Sequence, residues 1–77
     1  MTHVYFHCSN AEHFVSDPRG VDVDDLIEAH RRAADVVREF AGRLGQQDYR
    51  TWALHVSDGD GNELFLMPFW CVVGRQH

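Results

Sequence analysis

Trp52-Ala53-Leu54-His55-Val56-Ser57, then Asp58-Gly59-Asp60-Gly61-Asn62, then Glu63-Leu64-Phe65-Leu66-Met67-Pro68-Phe69 reads as a strand, a turn and a returning strand. Aspartate, asparagine and glycine suit a tight turn because they hydrogen-bond their own backbone or accept a positive φ. A type I turn closing with Gly61 in the left-handed region pairs Val56 with Leu64. In that register Leu54 faces Leu66, His55 faces Phe65 and Ala53 faces Met67. Trp52, Leu54, Val56, Leu64 and Leu66 then share the face expected to meet a helix. Ala53, His55, Ser57, Phe65, Met67 and Phe69 share the other.

The helix lies just upstream. Leu26, Ala29, Ala33, Val36, Val37, Phe40 and Leu44 recur at three- and four-residue steps and form one apolar stripe. Its start is expected near Asp22 to Asp24, where either aspartate can cap the free N–H groups, and Gly45 is expected to stop it. Across from the stripe, Glu28 stands with Arg31 and Arg32, Asp35 with Arg38, and Glu39 with Arg43. Such pairs add only about 0.2–0.5 kcal/mol each.

Before the helix comes a second hairpin. Thr2 to Cys8 reads as a strand with Val4, Phe6 and Cys8 on one face and His3, Tyr5 and His7 on the other. Ser9-Asn10-Ala11-Glu12 supplies a turn, His13-Phe14-Val15-Ser16 returns, and Asp17-Pro18-Arg19-Gly20 breaks the strand. The expected fold is therefore α+β: two hairpins flanking one long helix (ββαββ), in a four-stranded, mainly antiparallel sheet with the helix on one face. Numbering those strands in chain order, the spatial order 2-1-3-4 puts the most apolar strands in the centre. Sequential order with a parallel pair across the helix is the alternative.

Residues 1–77 make a single domain, with a core over about 3–69 and an apolar tail over 70–77 that needs something to pack on. A chain this short buries only roughly 60% of its unfolded surface, so further support from a partner is expected. All seven basic residues are arginine, twelve are acidic, and the net charge of −5 opposes nucleic acid and anionic membranes. No charged and apolar leader opens the chain and no apolar run is long enough to span a bilayer, so a cytoplasmic location is expected. Cys8 and Cys71 are too few and too ill-spaced for a disulfide framework, and read as two small reduced core residues.

Several motifs invite chemistry and are better explained without it. Asp58, Asp60 and Asn62 match the first three oxygen ligands of a calcium loop, but Glu63 and Phe69 stand where glycine and glutamate are needed. His3 and His7 are four residues apart on a strand, roughly 13 Å, too far to share an ion. His7 and His55 could meet across neighbouring strands, with His13 or Asp17 added by a loop, and are the candidate metal ligands. Arg31, Arg32, Arg38 and Arg43 could be drawn as a phosphate-binding face, but each has an acid three or four residues away, which describes a solvated, paired surface. Cys8 and its neighbour His7 point to opposite faces, and no glycine-rich phosphate loop or Gly-x-Ser-x-Gly elbow is present, so no enzyme and no cofactor are expected.

Tyr5-Phe6-His7, Asp17 and Gly20 before an alanine- and arginine-rich helix, Trp52 through Val56, Asp58, Gly61, Leu64 and Pro68-Phe69 together resemble a known family. It comprises short bacterial proteins of unknown function, common in rhizobia and related soil bacteria, that open Tyr-Phe-Phe-His or similar. The resemblance covers about residues 4 to 69 and implies no activity and no site residues. Ser9-Asn10-Ala11 departs from the family's more usual aspartate-glycine turn, and the Phe69 to Val73 tail departs as well.

With the helix on one face, the other is expected to expose Tyr5, Phe65, Met67 and Phe69, continuing to Trp70, as an interface. The expected function is a homodimeric or protein-binding module without nucleic-acid or membrane partners. A metal- or small-ligand sensor using His7 and His55, and an antitoxin-like regulatory module, are the alternatives.

Overall fold

The computed structural model describes residues 2–44 and 49–73. Five strands, all antiparallel, form one sheet: β1 (Thr2–Ser9), β2 (Phe14–Val15), β3 (Val21–Val23), β4 (Ala53–Asp58) and β5 (Glu63–Pro68). The path runs β2-β1-β4-β5, and β3 joins the same edge of the sheet by pairing with β1. A long helix, α1 (Leu26–Leu44), covers one face, and a single turn, α2 (Trp70–Val73), follows β5. The expected antiparallel order therefore holds, with one strand more than expected.

The added strand is β3. Val21 and Val23 are β-branched and flank Asp22, an alternation that suits an extended backbone better than the helix start expected there. Val23 is buried while Asp22 turns to the opposite face. The cap consequently moves to Asp25, whose carboxylate accepts the Glu28 N–H at 2.9 Å. Glu28 in turn accepts the N–H of Asp24, the residue before the cap, at 2.7 Å, and the two bonds together fix the first turn.

β1 pairs with β3 at Thr2–Val4 and with β2 at Cys8–Ser9, which leaves a gap between the two short strands. Asp17 fills it. Its carboxylate accepts the Phe6 N–H, standing in for a missing strand partner, and also the N–H groups of Arg19 and Gly20, all at 3.1 Å. Burial pushes the Asp17 carboxyl up, but the Gly20, Phe6 and Arg19 N–H groups and nearby His7 together hold it below the ordinary range.

The register of the β4–β5 hairpin differs from the expected one. The turn forms as read: Gly61 has φ +88°, its N–H reaches the Asp58 carbonyl at 3.1 Å, and Ser57 lies opposite Glu63. A bulge then inserts Leu64, so that Val56 faces Phe65, His55 faces Leu66, Leu54 faces Met67 and Ala53 faces Pro68. One extra residue exchanges the two faces of β5. Phe65 and Met67 turn towards the core, Phe69 is fully buried (0% exposed), and Leu64 and Leu66 are exposed. The exchange buries three large side chains instead of two, the direction that apolar burial favours. Phe69 packs among Trp52 and Phe40, with ring centroids 6.2 and 5.8 Å away, and Phe65 stacks on His30 of α1 at 4.0 Å.

Ala29, Ala33 and Val37 supply the fully buried line of α1, and small side chains there let the helix sit close to Val4, Leu54 and Val56. Leu26 departs from the expected stripe and is exposed, as is Ile27. The surface pairs form as Arg32–Glu28, Arg38–Asp35 and Arg43–Glu39. Cys8 is a core residue, with its thiol pushed up to about 11 by burial and by the Asp17 charge, whereas Cys71 is exposed, contrary to expectation. The start of the tail packs through Val72 and Val73 against the core. Gly45, expected to stop α1, and the last residues of the tail lie outside the described residues.

Candidate functional site

Alternation along β1 and β4 places His3, Tyr5, His7 and Ser9 beside His55 on the face of the sheet away from α1. Among the expected interface residues, Tyr5 lies on this open face and Trp70 is exposed beyond β5. Phe65 and Met67 lie on the helix side and Phe69 is in the core, all three displaced by the bulge at Leu64.

Aromatic rings run along the face in a row. His3 meets Tyr5 edge-on at 5.0 Å, Tyr5 lies parallel to His7 at 6.2 Å, and His7 is tilted against Phe14 at 5.6 Å. Each imidazole also has defined hydrogen-bond partners. His3 lies between the Asp22 carboxylate (2.6 Å from Nδ1) and the Arg19 carbonyl (2.7 Å from Nε2). Both partners accept, so both ring nitrogens must donate. The Asp22 and Arg19 contacts accordingly raise the basicity of His3. His7 Nδ1 accepts the Asp17 N–H at 2.9 Å, which puts the proton of the neutral ring on Nε2.

His7 and His55 are direct partners across β1 and β4, as the sequence suggested. Their nitrogens are directed elsewhere. His55 uses both of its own: Nδ1 lies 2.9 Å from Glu63 Oε1 and Nε2 lies 2.8 Å from Ser9 Oγ. His13 stacks on Trp52, and Asp17 is held by backbone N–H groups. Among the described residues no three histidine, cysteine or carboxylate groups cluster as metal ligands.

The line from Glu63 through His55 to Ser9 was not assembled from sequence. A carboxylate only accepts, so in the neutral ring the His55 proton sits on Nδ1 and the Nε2 lone pair faces the Ser9 O–H. Three strands each contribute one member: β5 the acid, β4 the imidazole, β1 the hydroxyl. Structurally the line ties these strands together. Chemically it is a hydroxyl beside a base that is oriented by an acid. The placement of Glu63 was legible, because the turn alone sets it opposite Ser57 and diagonal to His55. Ser9 required the β1–β4 register, which no local signal provides.

Shallow clefts border the other side of the molecule, where Phe6, Asp17 and Val36 lie between β1, the segment before β3, and α1. No helix among the described residues is long and apolar enough to cross a membrane.

These features define a small α+β domain with a one-sided helix and a histidine-rich open sheet face. A protein-family profile described as a domain of unknown function (DUF6894) matches residues 3–70, and the chain belongs to that family. Comparison with curated proteins and with solved structures gave no match.

Proposed function

We propose that this chain is a homodimeric interaction module in which two copies meet through the β5 flank of the open sheet face. The observation that carries this reading is the set of exposed apolar side chains Leu64 (39% exposed), Leu66 (48%) and Trp70 (54%), on and just beyond the last strand of the sheet. The helix covers the opposite face, and no described element lies across this flank. Glu63, the one ionisable residue within β5, is already hydrogen-bonded to His55, so covering the strip does not leave its carboxylate without a partner. A self-complementary apolar patch suits a two-fold axis, and a domain of this size gains support from a second copy.

Native mass spectrometry of the untagged chain tests the reading. A dimer for the natural sequence and a monomer for Leu66→Arg are expected, with both keeping the same circular dichroism spectrum. A natural chain that is monomeric throughout the micromolar range, or a Leu66→Arg variant that stays dimeric, would overturn it. Histidine-bound metal is the less favoured reading, because both nitrogens of His55 are already partnered.

A further inference from the structure

We propose that Ser9 is a site of covalent acylation, its hydroxyl activated by His55 and oriented through Glu63. Its substrates would be small acyl groups on good leaving groups: activated esters and thioesters. The two separations, 2.8 Å from hydroxyl to imidazole and 2.9 Å from imidazole to carboxylate, are those at which a general base removes a proton as a new bond forms. Glu63 keeps the Nδ1 proton in place and so keeps the Nε2 lone pair directed at Ser9. Asn10 stabilises the backbone just after Ser9, since its side chain accepts the N–H groups of Glu12 and His13 at 2.8 and 2.7 Å. The nucleophile therefore stands at the end of a paired strand, beside a fixed turn, on a face open to an incoming reagent.

The step balances without any redox partner. Ser9 Oγ bonds to the acyl carbon while the bond from that carbon to its leaving oxygen or sulfur breaks. The hydroxyl proton passes to His55 Nε2 and from there to the leaving group or solvent. Because the face is open, water is not excluded, and the site is expected to take activated donors stoichiometrically rather than turn over ordinary esters.

Acylation at Ser9 does not require dimer formation. Ser9 lies on β1, with β4 between it and the β5 strip. The probe is p-nitrophenyl acetate, applied both to the natural chain and to Trp70→Arg, a strip position outside the Ser9–His55–Glu63 line, so that coverage by a second copy cannot hide the site. With the exposed Cys71 thiol first alkylated, peptide mass spectrometry is expected to find acetyl on Ser9 well ahead of Ser16 and Ser57. His55→Gln should slow that modification by about 100-fold, and Glu63→Gln should change its pH profile. A purely structural tie would affect stability in these variants without affecting the position of the acetyl group. Acetyl spread evenly over the three serines would overturn the proposal. So would a rate at Ser9 that His55→Gln leaves unchanged in a variant whose circular dichroism shows it folded.

Discussion

Two residues decide how the edge of the sheet is held, and each predicts a different outcome. Gly20 has φ +69°, and a Cβ there would stand 2.6 Å from both His3 Nε2 and the Val4 carbonyl. Backbone strain and collision act together, so Gly20→Ala is expected to destabilise by roughly 1–3 kcal/mol, read from the midpoint of urea unfolding. Gly61 has φ +88° with open space around its Cβ position, so Gly61→Ala bears the backbone strain alone and should lose less. A smaller loss at Gly20 than at Gly61 would contradict the contact with His3. His3 itself titrates in a predictable direction. Its basicity is raised above the usual 6.5, first by the hydrogen bond to Asp22 and then by the one to Arg19. Folding thus favours the protonated ring. The stability it contributes is complete below about pH 6.5 and is lost as pH rises through the higher folded value. A proton NMR titration should place His3 above an unfolded reference peptide, and Asp22→Asn should bring it down. A His3 that titrates at or below the peptide value would refute the clamp.

At the scale of elements, the bulge in β5 is the decisive event, and its consequence is measurable. Phe69 is in the core while Leu66 is on the surface. Phe69→Ala should therefore destabilise by about 3–5 kcal/mol, enough to unfold much of a small domain, whereas Leu66→Ala should stay within about 1 kcal/mol in the monomer. Equal losses at the two positions would restore the unbulged register. That register was the natural reading of the sequence, since alternation and the Asp58–Asn62 turn are local properties and both were legible. The bulge is not local. It is favoured because Phe65 and Phe69 meet His30 and Phe40 of α1, and those contacts exist only once the helix has packed. The same reason hid β3: Val21-Asp22-Val23 carries acceptable capping residues, and only the available edge of β1 turns it into a strand. The candidate site divided likewise. His55 and Glu63 are joined by one hairpin, but Ser9 enters from a strand more than forty residues away.

For the whole molecule, a one-sided helix and an uncovered sheet make stability a question of copy number. The described domain encloses one compact core between α1 and the sheet, while Leu64, Leu66 and Trp70 stay outside it. If a second copy buries that strip, folding and association are linked, and the population of folded chain rises with protein concentration. Thermal unfolding followed by circular dichroism should then shift to higher temperature as the chain is concentrated from about 1 to 100 μM. A linked dimer gains about 1.4 kcal/mol of apparent stability for each tenfold rise in concentration, equivalent to several degrees in a domain of this size. Leu66→Arg should flatten that dependence while leaving α1 and the core in place, because Leu66 is exposed and packs in neither. A midpoint that does not move with concentration in the natural chain would mean that the core alone sustains the fold. The β5 strip would then have to be explained by a partner other than a second copy.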